Sequence, residues 1–308
     1  MDLDTLTATQ AVRSIKAGVI SCVELLDAQA AAVEKHNPSV NAVVANAISS
    51  ARLAAKNADH RWANGENLGS LHGFSLTIKD CFETVGMPTT AGSATLAHHM
   101  TEVDADAVQA MRANGAIIYG KTNVPLFGGD HQTYNEVYGV TNNPWDTSRT
   151  AGGSSGGAAA AVATGMSLAE YGSDIGGSIR QPAHMNGVFG FKPSHGVLSM
   201  RGHIPGPPGT LSHPDLLVAG PLGRSIDDLE LMMRTTLTVG AFGGIPGAAL
   251  PPSDGPPKVD DLRIALWADE PMAKVASACR DSVIRFGIEL EAAGAHVDHD
   301  ARPSFDVG

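Results

Sequence analysis

TAGGSSGGAAAAVATG, residues 150–165, sets four glycines around two adjacent serines, Ser154 and Ser155, and continues as a run of small apolar residues. Glycine at this density is typical of a turn where the backbone approaches another group closely or adopts dihedral angles that other residues avoid. The alanine-rich run predicts a helix of small residues that starts near Ser155. The stretch therefore indicates a glycine turn leading into a helix.

A second turn of the same kind follows in GSDIGGSIRQP, residues 172–182. SLAEYGSD, residues 167–174, predicts a strand, and adjacent glycines then lead through Ser178 into another helix. Successive backbone N–H groups at such a turn can surround a developing negative charge. The chain thus places two serines on two glycine turns.

Four chemistries compete for the first turn. A phosphate-binding loop needs a lysine and a hydroxyl residue after the last glycine, where this chain has alanines, and the glycine spacing does not fit a dinucleotide fingerprint. A flexible linker would not run directly into a helix. The pattern GxSxG of a hydrolase nucleophile turn is present, but nothing in the spacing selects its histidine. The available histidines are His184, His195, His203 and His213.

The elements around these turns indicate an α/β fold. GFSLTIKDC, residues 73–81, alternates apolar and polar residues and predicts a strand with Lys79 at its end. Ser21 with Glu24 three residues later predicts a capping box at the start of a helix over residues 22–36. Residues 202–221 are rich in proline and are expected to form a loop. Further helices are predicted at 6–17, 46–64, 104–114, 225–238 and 272–293, and strands at 116–121, 188–194 and 262–267. We expect one domain, residues 1–308, with a flexible break at 241–258.

Composition narrows the function classes. A net charge of −11 without a basic stretch argues against nucleic acid as a partner, and no apolar run is long enough to predict a membrane span. The three cysteines are far apart and odd in number, which argues against a disulfide framework or a cysteine metal site. The cytoplasm is the expected location.

Taken together, the motifs resemble the amidase signature family. The resemblance is carried by both glycine turns, with Ser154 and Ser178 24 residues apart, and runs from about residue 5 to the end of the chain. Five further motifs stand in the matching order: LTIKD (76–80), TTAGS (89–93), GKTNVP (120–125), GVTNNPW (139–145) and GVFGFKPSHG (187–196). The resemblance implies a mixed central β-sheet flanked by α-helices, truncated at its C-terminal end, and hydrolysis of carbon–nitrogen amide bonds without a metal or cofactor.

The family's Ser–cis-Ser–Lys triad implies roles for individual residues. Ser178 would be the nucleophile, Ser154 the proton bridge after a cis peptide bond from Gly153, and Lys79 the general base. The resemblance also implies an oxyanion hole and supporting residues near it. The oxyanion hole would use the backbone N–H groups of Ile175, Gly176, Gly177 and Ser178, and the supporting residues would be Asp174, Arg180 and Ser155.

The chain also departs from the family pattern. Family members are usually longer, and Leu126 and Cys81 stand where relatives carry other residue types. The expected partner is a small amide substrate, with esters also open, and both a homo-oligomer and a completing partner chain remain open. Two alternatives to an amidase stay in view: a transamidase subunit that passes ammonia to an acylated tRNA, and an inactive truncated scaffold.

Overall fold

The computed structural model describes residues 5–205, 214–238, 255, 257–272, 274–302 and 304. The chain divides into two compact units, Met1–Ala249 and Leu250–Gly308. The expectation of one domain stays a prediction, and the break expected at 241–258 lies largely outside the described residues.

The first unit alternates helices and strands, as expected of an α/β fold. Its helices are α1 (Ala8–Lys16), α2 (Cys22–Val40), α3 (Ile48–Ala63), α4 (Asp106–Ala113), α5 (Gly156–Ala163), α6 (Arg180–Asn186) and α7 (Ile226–Thr238). Its strands are β1 (Val43–Asn46), β2 (Ser75–Lys79), β3 (Ile117–Thr122), β4 (Tyr134–Asn135), β5 (Gly139–Val140), β6 (Ala169–Asp174), β7 (Phe189–Gly190) and β8 (Val218–Gly223). The capping box of α2 is confirmed, since Ser21 Oγ accepts from Glu24 N and Glu24 Oε2 accepts from Ser21 N.

The strands form mixed pairings. β3 lies between β1 and β2, antiparallel to the first and parallel to the second. β8 lies between β6 and β7 and is antiparallel to both. Thr77 of β2 donates its hydroxyl to Glu170 of β6 at 2.8 Å, so the two three-stranded sheets lie side by side. The expected mixed sheet with flanking helices is confirmed.

Strand β8 corrects the sequence prediction, because part of it falls in the segment expected to be a loop. Pro221 and two glycines argue against a strand by propensity, but all six residues of β8 are buried. A Cβ on Gly220 would lie 2.1 Å from Phe191 O, and one on Gly223 would lie 2.7 Å from Asp228 Cβ. The glycines are therefore required by close packing rather than by a turn, and this tertiary packing outweighs the local propensity.

Helix α5 has residues Gly156 to Val162 buried, and its small side chains let it lie directly against its neighbours. A Cβ on Gly157 would lie 2.4 Å from Asn123 N, and one on Gly156 would lie 2.3 Å from Thr133 Oγ1. On β6, a Cβ on Gly172 would lie 2.7 Å from Ser155 Oγ. The glycines thus bring the start of α5 against β6 and the segment after β3.

The second unit contains the parallel strands β9 (Arg263–Ala265) and β10 (His296–Asp298) with α8 (Ser277–Ala292) between them in the chain. Gly287 of α8 lies against Leu266, where a Cβ would be 2.8 Å from the leucine Cδ1. Among the helices that the structure describes in the two units, none is both long and apolar enough to cross a membrane.

Candidate active site

Lys79 is a fully buried lysine whose ammonium group is surrounded by hydroxyl groups. Its Nζ lies 2.7 Å from Ser154 Oγ, 2.9 Å from Ser155 Oγ and 2.9 Å from Ser173 Oγ, with Ser173 O at 3.4 Å. The end of β2, the end of β6 and the turn before α5 supply these groups. All four acceptors are neutral oxygens, so no carboxylate directly neutralises the cation in this group.

The pKa of Lys79 is lowered from 10.5 to about 8, because burial removes water from the charged form. Cys81, whenever its thiol is ionised, and the carboxylates of Asp174 and Glu170 act in the opposite direction and limit the fall of this pKa. A lysine with this pKa is partly neutral near physiological pH and can accept a proton.

Ser154 lies in the first glycine turn, and the peptide bond from Gly153 to Ser154 is cis, as expected. Only 2% of its surface is exposed. A Cβ on Gly153 would lie 2.6 Å from Asp130 O, and one on Gly128 would lie 3.4 Å from Ser154 Oγ. The segment around Gly128 therefore covers Ser154 closely and leaves little room for a side chain beside the hydroxyl.

Ser178 lies in the second glycine turn, two residues before α6. Its carbonyl accepts a hydrogen bond from Ser155 N at 3.1 Å, which joins the two glycine turns. Its side chain is half-buried and makes no hydrogen bond to any residue that the structure describes. The hydroxyl is thus held next to the first turn by the backbone and is not engaged elsewhere.

The carboxylate of Asp174 stabilises the second glycine turn through hydrogen bonds. Its carboxylate accepts from Gly177 N at 2.8 Å and Ile179 N at 3.0 Å, and from Arg180 Nε at 3.1 Å and Nη2 at 2.9 Å. Burial alone would raise its pKa, but the hydrogen bonds from Arg180, Ile179 and Gly177 outweigh it and lower the pKa to about 2. Asp174 is therefore ionised and holds the turn and Arg180 together.

The four N–H groups expected in an oxyanion hole are not equivalent. Gly177 N–H donates to Asp174, whereas the N–H groups of Ile175, Gly176 and Ser178 make no hydrogen bond within the described part of the chain. Three donors at this turn are therefore left for a ligand.

The sequence prediction missed two residues that contact this group. Ser173 bonds to Lys79, and its hydroxyl also lies 2.8 Å from Nε2 of His203, which is 7% exposed. His203 is one of four histidines that spacing could not rank, and it pairs with Ser173 rather than with either serine of the glycine turns. No local signal in the sequence joins residues 30 positions apart.

A second buried lysine lies one strand away from the first. Lys121 Nζ contacts Thr89 Oγ1 at 3.0 Å and Thr84 Oγ1 at 3.2 Å, and it lies 3.5 Å from the carboxylate of Asp80. Burial lowers the pKa of Lys121 and raises that of Asp80, while the charge of each partner opposes the shift. This pair ties the segment after β2 to β3 and so supports the end of the strand that carries Lys79.

Glu170 is a buried carboxyl group behind both lysines. It accepts hydrogen bonds from the hydroxyls of Thr77 and Thr122, and its pKa is raised to about 7. Burial causes the rise, and the hydrogen bonds and the charges of the two lysines reduce it. Burial therefore makes Glu170 a weaker acid than an exposed glutamate.

A cavity of about 700 Å³ lies beside the segment that covers Ser154. Leu126, Phe127 and Tyr134 line it, together with the acidic residues Asp130 and Glu136. Cys81 is buried near Gly128, where a Cβ on the glycine would lie 3.8 Å from the cysteine Sγ. Burial raises the pKa of this thiol to about 11. The thiol is thus a neutral neighbour of the site.

Comparison with known proteins gives a consistent picture. The Amidase family profile matches residues 24–307. The chain is 41% identical over 234 residues to a subunit of glutamyl-tRNA(Gln) amidotransferase from Anaeromyxobacter dehalogenans, covering 76% of this chain and 46% of that protein. It is 39% identical over 230 residues to indoleacetamide hydrolase of Bradyrhizobium diazoefficiens, covering 74% and 44%.

Solved structures show the same likeness over nearly the whole chain. A fatty acid amide hydrolase matches with a TM-score of 0.89 and 27% identity, covering 98% of this chain and 53% of that one. A bacterial aryl acylamidase of the amidase signature enzymes matches with a TM-score of 0.82 and 29% identity, covering 96% and 61%. The chain spans about half the length of the curated relatives it matches.

Proposed function

This chain belongs to the amidase signature family, and on that basis we propose that it hydrolyses carbon–nitrogen amide bonds through an acyl-enzyme on Ser178. The observation that carries the proposal is the 2.7 Å contact between the fully buried Lys79 Nζ and Ser154 Oγ, next to the turn that holds Ser178. Lysine with a lowered pKa is suited to remove a proton, and a serine beside it is suited to pass one on.

In the proposed reaction, neutral Lys79 takes the proton of Ser154, which takes the proton of Ser178 as Ser178 Oγ attacks the amide carbonyl. A new carbon–oxygen bond forms and the carbonyl electrons move to its oxygen. The free N–H groups of Ile175, Gly176 and Ser178 would stabilise this oxyanion, and one such donor typically contributes about 3–4 kcal/mol.

The intermediate then collapses and the carbon–nitrogen bond breaks. Ser154 gives its proton to the leaving amine, and Lys79 returns its proton to Ser154. Water attacks the resulting ester, and the same two residues remove its proton and return one to Ser178. Asp174 and Arg180 act by holding the turn, and Ser155 by orienting Lys79 and fixing the carbonyl of Ser178. The free cysteines Cys22, Cys81 and Cys279 favour a reducing cytoplasm as the place of the reaction.

The test is turnover of a set of aliphatic and aryl amides and esters by the 308-residue chain, with three variants beside it. Ser178→Ala, Ser154→Ala and Lys79→Ala should each lose at least about a hundredfold in kcat/KM. Ser49→Ala, at a surface helix position, is the matched control and should keep the wild-type rate. A fluorophosphonate that acylates active serines should label Ser178, located by peptide mass spectrometry. Full activity of Ser178→Ala would rule the assignment out.

A second candidate, a transamidase subunit, is favoured by the names of relatives such as the one in Anaeromyxobacter. The same residues would then release ammonia from an amide for transfer to an acylated tRNA, with other subunits as partners. The net charge of −11 does not suggest a docking surface for RNA. Co-purification of a partner chain, together with tRNA-dependent stimulation of amide cleavage, would favour this candidate over the free-standing amidase.

A further inference from the structure

His203 is a buried imidazole directly behind the candidate active site. Its Nε2 lies 2.8 Å from Ser173 Oγ, and its ring packs edge-on against Phe82 with centroids 4.8 Å apart. The backbone is fixed by an antiparallel bridge to Phe82 and by the bond from Ile204 N to Cys81 O at 2.8 Å. This imidazole is therefore placed by the fold and has one polar contact within the described residues, Ser173, since its Nδ1 has no partner there.

Each serine hydroxyl around Lys79 needs an acceptor for its own hydrogen. Lys79 donates N–H bonds to Ser155 Oγ and Ser173 Oγ, so each hydroxyl must send its own hydrogen to another acceptor. Ser155 has such an acceptor in Ser173 O at 3.3 Å. For Ser173, the available neighbour is His203 Nε2, and it accepts only if that nitrogen carries no hydrogen.

We propose that His203 is a positioning residue that keeps Nε2 unprotonated, accepts the hydrogen bond of the Ser173 hydroxyl, and thereby leaves Ser154 as the hydroxyl that donates to neutral Lys79. The effect on catalysis rests on the proposed function, whereas the tautomer of His203 and its hydrogen bond from Ser173 do not. With Nε2–H instead, His203 would donate to Ser173 Oγ. The Ser173 hydrogen would then point to the Lys79 lone pair, in place of the N–H that Lys79 donates to Ser173, and would compete with Ser154 for that lone pair.

The surroundings keep this imidazole neutral. The pKa of His203 lies well below its usual value, because burial disfavours the imidazolium and the charges of Lys79 and Lys121 repel it. Two carboxyl groups, Asp80 and Glu170, face these lysines, and Asp174 and the Cys81 thiol complete the titratable groups that act on Lys79.

The first experiment measures the tautomer of His203 in the full chain by ¹⁵N NMR of labelled histidine, with the signal assigned by its absence in His203→Gln. We expect protonated Nδ1 and unprotonated Nε2 from about pH 6 to about pH 9. A protonated Nε2 would overturn the proposal whether or not the chain hydrolyses amides.

The second experiment compares pH profiles of kcat/KM for three variants. His203→Leu removes the acceptor. We expect kcat/KM to fall roughly tenfold, because Ser173 then donates to neutral Lys79 in competition with Ser154. The acidic limb of the profile, where the rate falls as Lys79 becomes protonated, should move to lower pH by about half to one unit, because this hydrogen bond stabilises neutral Lys79. His203→Gln offers an amide oxygen in place of Nε2, so most of the wild-type rate and the wild-type position of the acidic limb should be retained. His72→Gln, at a buried histidine bonded to Ala58 and Leu68, is the matched control.

The outcomes separate the two hypotheses. No turnover by wild type would count against the proposed function, while the tautomer would still decide the role of His203. Turnover with an unchanged acidic limb in His203→Leu would overturn the role of His203 and leave the amidase intact. If His203→Leu does not fold, the tautomer and the His203→Gln profile carry the test.

Discussion

The pH dependence of amide hydrolysis should report the protonation of Lys79. With a pKa of about 8, the neutral fraction of this lysine is about 10% at pH 7 and about 90% at pH 9. We therefore expect kcat/KM for an uncharged amide to rise roughly tenfold over that range and then to level off. If Lys79 had the ordinary lysine pKa of 10.5, kcat/KM would instead keep rising beyond pH 9.

Glu170→Gln is the perturbation that tests the cause of this pKa. The carboxylate raises the pKa of Lys79, so its removal should move the acidic limb to lower pH, by roughly 0.3–1 unit. The amide fits the same space beside the hydroxyls of Thr77 and Thr122. Glu34→Gln, at a surface helix position, is the control. A limb that moves to higher pH, or a wild-type limb above about pH 10, would refute the electrostatic reasoning.

The same lysine should make stability depend on pH. Its pKa is lower in the folded chain than in the unfolded chain, so the unfolded state binds more protons between about pH 8 and pH 10.5. The free energy of unfolding should thus rise with pH across this window, by about 3 kcal/mol relative to Lys79→Met. Urea denaturation of both proteins at several pH values measures the difference, and parallel curves would contradict it.

Three further substitutions or labels address neighbouring groups. Asp174→Asn should lower the free energy of unfolding by about 2–3 kcal/mol at pH 7 and abolish most activity, as urea denaturation and turnover assays would measure. The difference in stability from wild type should shrink as the pH falls from 3.8 toward 2, because the wild-type carboxylate itself becomes protonated over this range. Gly128→Ala, at φ +68° with a Cβ 3.4 Å from Ser154 Oγ, should reduce kcat/KM about tenfold or more, and a wild-type rate would mean that the segment yields. Iodoacetamide should modify the native chain first at exposed Cys279, with Cys81 reacting only after unfolding, as peptide mapping would reveal.

Local signals in the sequence predicted the parts of the fold that depend on local structure. Patterns of a few residues predicted the capping box at Ser21, the strand ending at Lys79 and the small-residue helix after Ser155. The loop predicted over part of strand β8 was wrong, because the glycines of this strand serve contacts with residues far away in the chain, such as Phe191.

In the candidate site, too, the sequence predicted some residues and missed others. Lys79, Ser154 and Ser178 were expected from motifs, and the structure places the first two in contact. Ser173 and His203 were not, because a hydrogen bond across 30 residues leaves no periodic trace in either segment. The commitment of Gly177 N–H to Asp174 likewise depends on the path of the turn rather than on its composition.

The close packing at the start of α5 sets where this chain can acquire a new substrate preference. A single methyl group at Gly156 or Gly157 would lie well inside van der Waals contact of Thr133 or the backbone of Asn123. Substitutions at these two glycines should therefore destabilise the fold. The border of the neighbouring cavity is different, because Leu126 is 54% exposed there. Selection for altered specificity should therefore be directed at cavity-lining residues such as Leu126, Phe127 and Tyr134, while Gly128 and the glycine turn are kept unchanged.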